Sequence, residues 1–159
     1  MSDAPFLSPP LEIERRFIDH NGHVNMAYHL VLADTALDLA FCEIKGEDYV
    51  ARRGMTTFAA EMHVRYLREM SAHDEIRGRV RWIAADEKRA HWAVELVRGS
   101  DGAVVTTVEG VSLSVSVETR RVAPYPEDIA GRLAAAARAD EAGARDLGWL
   151  GRRVTMMGR

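Results

Sequence analysis

The stretch from Val24 to Ile44 constrains this chain more than any other. It contains neither Gly nor Pro, and Met26, Leu30, Val31, Leu32, Ala33, Ala36, Leu37, Leu39, Ala40 and Phe41 spread its apolar residues around most of a helical circumference. A helix that is apolar around most of its circumference belongs in the middle of a core, enclosed by other elements. Gly46 marks its stop, and Lys45 stands where a cation complements the negative end of a helix dipole.

The enclosing material is legible in the change of period that follows. Phe58, Ala60, Met62, Val64 and Tyr66 alternate with Glu61, His63 and Arg65, which predicts a half-buried strand. Ile76, Val80 and Trp82 alternate with Arg77, Arg79 and Arg81, and Ala90, Trp92, Val94 and Leu96 alternate with His91, Ala93 and Glu95. The Gly-Ser-Asp-Gly run at 99–102 reads as a hairpin turn whose glycines supply positive φ. A last strand begins at Val104, Thr106 and Val108 and resumes at Val111, Leu113, Val115 and Val117, a change of phase that predicts a bulge at Glu109-Gly110. Ahead of the helix, Leu11 to Phe17 alternates weakly and is read as a first strand. The expected fold class is α+β: one antiparallel sheet of five strands around one helix. Pro124 and Pro126 then mark a boundary, followed by a second, Ala-rich helix over Glu127–Ala142 and a tail to Arg159 without a motif. Residues 1–120 are expected to form the main domain and 121–159 a helix and tail packed on it or extending from it.

With 159 residues the chain can bury a core without disulfides or metals, and Cys42 is its only cysteine. A net charge of only −3, with basic and acidic residues interspersed, leaves no footprint for nucleic acid or an anionic membrane. No apolar stretch is long enough to span a bilayer, and Met1 to Pro10 lacks signal-peptide character, so the cytoplasm is the expected location.

The chemistry concentrates between the first strand and the helix, in Asp19-His20-Asn21-Gly22-His23-Val24-Asn25-Met26-Ala27-Tyr28. A helix start offers unpaired N–H groups and partial positive charge, which can hold an oxyanion. Gly22 lets the backbone turn sharply. A carboxylate just before such donors can attack a carbonyl or take a proton from the water that does. As a plain structural group, Asp19 would instead cap the helix.

These residues resemble the signature of the hotdog-fold acyl-CoA thioesterases, in the branch of 4-hydroxybenzoyl-CoA thioesterase: Asp, two residues, Gly, His-Val-Asn and a helical Tyr, matched by Asp19, Gly22, His23, Val24, Asn25 and Tyr28. The resemblance covers Leu11 to Val117 and implies a hotdog sheet around its helix, Asp19 as nucleophile or general base, and backbone amides near Asn25 and Met26 for the carbonyl oxygen. It further implies Asn21, Gly22, His23, Tyr28, Glu61 and Tyr66 on the substrate, and a homodimer or homotetramer with sites between subunits. Two positions depart from the pattern: Phe17 replaces an earlier Asp, and Tyr28 arrives one residue early. The form Asp-x-Asn-Gly-His-x-Asn-x-Ala-Tyr, with Glu61, His63, Tyr66, Leu67 and Glu69 downstream, is similar to thioesterases of carnitine breakdown that cleave betainyl-CoA.

A trimethylammonium substrate calls for aromatic faces or a carboxylate, and Tyr66, Trp82, Trp92 and Glu61 are candidates; strand periodicity makes the aromatics core residues first. Asp19, His20 and His23 lack a further ligand at metal spacing, so no metal is expected, and coenzyme A enters as part of the substrate rather than as a cofactor. Asp34 and Asp38, four apart on the helix, are reserve candidates for the acid, with exposure to solvent or to a subunit as the plainer reading. Cys42 reads as a small core residue. A hotdog enoyl-CoA hydratase fits less well, because Gly22 stands where such enzymes have Pro and the Asp–His spacing is four rather than five. A non-catalytic acyl-CoA-binding module, acting beside a dehydrogenase, is the remaining alternative.

Overall fold

The structure is a computed structural model and describes residues 5–156. Five strands, β1 (Phe6–Leu7), β2 (Met55–Tyr66), β3 (Ile76–Ala85), β4 (Arg89–Arg98) and β5 (Val104–Ser116), form one antiparallel sheet in the order β1-β3-β4-β5-β2. The sheet wraps α1 (Met26–Lys45); a short α2 (Tyr49–Arg53) leads into β2, and α3 (Glu127–Arg145) follows the sheet.

The enclosure of α1 follows from its composition. Leu32, Ala33, Ala36, Leu37, Ala40, Phe41 and Ile44 are buried against Ile76, Val80, Trp82, Trp92, Val94, Leu96 and Val108. Each large apolar side chain so enclosed contributes about 1.5–3 kcal/mol. Two glycines let the layers meet: Gly78 on β3 lies directly against Ala36 of the helix, and Gly110 on β5 lies under the six-membered ring of Trp92. Asn25 caps the helix by accepting the Ala27 amide at 3.0 Å, and Gly46 ends it at φ 83°.

Four sequence expectations are corrected. The first strand is Phe6–Leu7 rather than Leu11–Phe17: Pro9 and Pro10 have no N–H to pair, Leu11 makes a single bridge to Ile76, and Arg15–Phe17 is a 3-10 turn. The bulge expected at Glu109-Gly110 is absent, because β5 runs in unbroken register past Trp92 there, with Trp92 opposite Gly110. Instead β2 shifts register at Ala60, between Ala59 and Glu61, so Phe58 does not share a face with Met62, Val64 and Tyr66. Six of the strand's twelve residues are exposed and the others half-buried, and nothing among the described residues pairs with its outer edge. Finally, of the glycines in the 99–102 turn, Gly102 alone takes positive φ, at 68°.

The opposite edge of the sheet is closed. β1 is only two residues long, and α3 lies along β3 beyond it; the Trp82 amide donates to the Asp140 carboxylate at 2.9 Å, and Arg81 stands 3.8 Å from the same group. Ile129 and Leu133 of α3 are buried in the core that holds α1. Beyond α3 the chain crosses the outer face of the sheet, where the Gly151 amide donates to Glu109 at 2.7 Å. No helix among the described residues is long and apolar enough to cross a membrane.

Candidate active site

The signature loop folds as a tight hairpin. Ile18 bridges Val24, the Asp19 amide donates to the His23 carbonyl at 2.8 Å, and the Gly22 amide donates to the Asp19 carbonyl at 3.1 Å. Gly22 takes φ 80° at the turn, a conformation that favours glycine. Two further strands of backbone bonding fix the loop in space: the Val24 amide donates to Met70 and the Asn25 amide to Phe17, each at 2.8 Å.

Asp19 uses one carboxylate oxygen, Oδ1, to accept the amides of Asn21 at 2.8 Å and His23 at 3.3 Å. Its Oδ2 has no partner among the described residues. The Asn21 amide holds the carboxyl below its ordinary range; desolvation opposes it, and the His23 amide and the nearby imidazoles add smaller lowering effects. Asp19 is thus an ionised carboxylate with one oxygen tied to the loop and the other free. It does not cap α1; Asn25 does.

At the helix start the donors sort themselves. The Asn25 amide is spent on Phe17, the Ala27 amide on the Asn25 side chain, and the Tyr28 amide on the Asn25 carbonyl. The Met26 amide has no partner among the described residues, so it is the donor left for an incoming oxygen. Tyr66 donates its hydroxyl to the Met26 carbonyl at 3.1 Å and sets its ring edge-on to His29, with centroids 5.3 Å apart. His29, which sequence reasoning passed over, is buried and ties the loop to the sheet through Val24 and Thr106; its place one turn into the helix beside an otherwise apolar run was the available signal.

The other expected site residues scatter. Tyr28 stacks on Phe17 at 4.3 Å, and His23 pairs with Glu69 at 3.2 Å; Asn21 and Gly22 lie exposed at the turn. Glu61 is exposed and lies opposite Val111 on the outer face of the sheet, away from α1. Trp82 and Trp92 are core residues. No group of three or more His, Cys, Asp or Glu among the described residues is placed to hold a metal.

Two clefts of about 290 Å³ each flank the region. One is lined by His23, Arg68, Glu69, Ser71, Asp74 and Arg98; the other, between α1 and β2, is lined by apolar residues and Asp34. Asp19 lines neither, so the single chain offers a carboxylate and a donor but does not wall a reacting group in. Met26, Val31, Met62, Tyr66 and Leu67 are exposed large apolar residues on this side of the molecule.

Comparison with known proteins bears on the family and the fold. Residues 14–133 match the family described as the thioesterase-like superfamily. A betainyl-CoA thioesterase of Pseudomonas aeruginosa is 29% identical over 79% of this chain and 80% of its own. An L-carnitine dehydrogenase/betainyl-CoA thioesterase of Ruegeria pomeroyi is 34% identical over 77% of this chain but only 25% of its own, so the chain spans about a quarter of that fused protein. A Staphylococcus aureus protein solved in complex with CoA superposes with a TM-score of 0.87 at 22% identity, over 99% of this chain and 98% of that one.

Proposed function

Since the chain belongs to the thioesterase-like superfamily, we propose that it hydrolyses an acyl-CoA to the free acid and coenzyme A, with betainyl-CoA as the preferred substrate. The observation that carries this reading is a free oxygen on an ionised Asp19 in the loop that leads into α1, together with a Met26 amide without a partner among the described residues at the start of that helix. As general base, Asp19 takes the proton of the water that attacks the thioester carbonyl and passes it to the departing thiolate; as nucleophile, it attacks that carbonyl itself, and water then cleaves the acyl-Asp19 anhydride to release the acid and restore the carboxylate. The Met26 amide and the positive end of α1 receive the oxyanion, and collapse of the tetrahedral intermediate expels the CoA thiolate. Water is the only co-reactant; no cofactor or metal is needed. The names of the relatives support betainyl-CoA as the substrate.

A second copy of the chain completes the site in this reading. The outer edge of β2 is 12 residues long and unpaired among the described residues, and Phe58, Met62, Tyr66 and Leu67 are exposed along it. A long apolar edge of this kind is unstable against association, and pairing two copies along it would wall in the open side of the Asp19 loop. Location in the cytoplasm, where acyl-CoA is available, fits the same reading. Thiol release from a panel of acyl-CoAs, compared between the wild type and Asp19→Ala, tests the proposal: loss of release in the variant supports it, and undiminished release discards it.

A further inference from the structure

We propose that Asp34 selects acyl groups carrying a fixed positive charge, because it stands alone as a carboxylate on the wall of the apolar cleft between α1 and β2. The proposal rests on the thioesterase reading only in placing the acyl group in that cleft.

The cleft, about 290 Å³, is lined by Leu30, Val31, Ala33, Leu37, Met62, Val108 and Trp92, and Asp34 is the only charged group among the described residues that line it. The Trp92 indole N–H is already spent, donating to the Ser112 hydroxyl at 2.9 Å. The walls therefore offer no side-chain donor to an acyl hydroxyl or carboxylate. Asp34 itself has neither a hydrogen bond nor an ion pair among the described residues. Asp34 is exposed at the cleft's edge, and partial desolvation there holds its carboxyl above the ordinary range, with the like charge of Asp38, one turn along the helix, adding to that effect. No cation among the described residues lines this cleft, so Asp34 gives its wall a negative charge.

A trimethylammonium group matches each of these features. Its methyl surface suits apolar walls, it asks for no hydrogen bond, and its charge is satisfied by Coulomb attraction to a nearby carboxylate. An anionic acyl group would be repelled, and a neutral one would desolvate Asp34 without compensating it.

Binding of two non-hydrolysable CoA thioethers tests the proposal independently of turnover. One carries a 2-(trimethylammonio)ethyl group and the other its neutral isostere, 3,3-dimethylbutyl. Titration calorimetry on the wild-type protein is expected to show the cationic thioether binding about tenfold or more tighter. Asp34→Asn is expected to bring the ratio near one while leaving the neutral thioether's affinity unchanged, and Asp34→Glu to restore part of the preference. Equal affinities in the wild type, a preference that survives Asp34→Asn, an equal weakening of both thioethers in that variant, or binding of neither thioether would each overturn the proposal. Absence of betainyl-CoA hydrolysis, with the Asp34-dependent preference intact, would instead remove the thioesterase reading and leave the cation site standing.

Discussion

His29 Nδ1 lies 2.6 Å from the Thr106 hydroxyl, while its Nε2 lies 3.2 Å from the Val24 carbonyl. A carbonyl only accepts, so Nε2 carries the proton and the Thr106 hydroxyl donates to Nδ1. One neutral imidazole thus ties the end of the signature loop to the sheet. Burial lowers its pKa from 6.5, with the Val24 carbonyl opposing. His29→Phe strands two buried polar groups and is expected to cost about 1–3 kcal/mol. On acidification the unfolded chain takes up the proton first, so stability contributed by a neutral His29 is lost as pH falls from 6.5 through the lower folded value. Urea midpoints at pH 8 and pH 5 are therefore expected to show a smaller penalty for the variant at the acid pH; an equal penalty at both would count against a neutral His29 held below its ordinary pKa.

Gly78 meets Ala36 so closely that a Cβ at position 78 would overlap the Ala36 methyl group. Gly78→Ala must push α1 off the sheet, and a loss of about 2 kcal/mol or more is expected. Adding Ala36→Gly should recover part of it despite the intrinsic cost of a helical glycine. Thermal unfolding of the single and double variants checks the contact, and no recovery in the double variant would contradict it.

Lys45 does not reach solvent freely. Its Nζ donates to the Thr57 hydroxyl at 2.8 Å and sits 4.0 Å from the Phe41 ring centroid, and burial lowers its pKa to about 8. Below that pH both folded and unfolded chains carry the charge, and the folded state bears the full cost of burying it. As pH rises from about 8 toward 10.5 the folded chain releases its proton first, and stability increases. Lys45→Met is expected to be more stable than wild type at pH 7 by about 1–2 kcal/mol, after allowance for the partial exposure of the group, with the advantage shrinking at higher pH. Denaturation at pH 7 and pH 10 measures this, and a constant difference would sink it.

The unpaired edge of β2 predicts a particle larger than one chain. Sedimentation of the wild type is expected to give a dimer or a multiple of it, and Phe58→Lys with Met62→Lys to give a monomer that no longer releases thiol. A wild-type monomer with full activity would remove the second copy from the mechanism.

The buried helix and the strands β3 to β5 were legible because their periodicities are long and uninterrupted, and the loop from Asp19 to Asn25 was legible as a unit because its spacing is distinctive. What escaped the sequence depends on contacts distant along the chain. The change of phase at Glu109-Gly110 reflects room for the Trp92 ring, which no local pattern reveals. The register shift at Ala60 moves Phe58 across the sheet although the apolar alternation runs on unbroken. Pro9 and Pro10 shift the first strand toward the N-terminus. Within the site, the residue types pointed to a carboxylate and a set of amides, but only the fold sorts the Met26 amide from its committed neighbours and puts Glu61 on the far face.

The central claim is that the free oxygen of Asp19 does the chemistry, and Asp19→Asn tests it with least disturbance. An asparagine Oδ1 still accepts the Asn21 and His23 amides, so the loop keeps its shape while the charge is gone. The measurement is thiol release from betainyl-CoA and from a panel of neutral acyl-CoAs by wild type and variant at equal folded concentration. Release by the wild type and a fall of about a hundredfold or more in Asp19→Asn are expected. Release by the variant at the wild-type rate would contradict it.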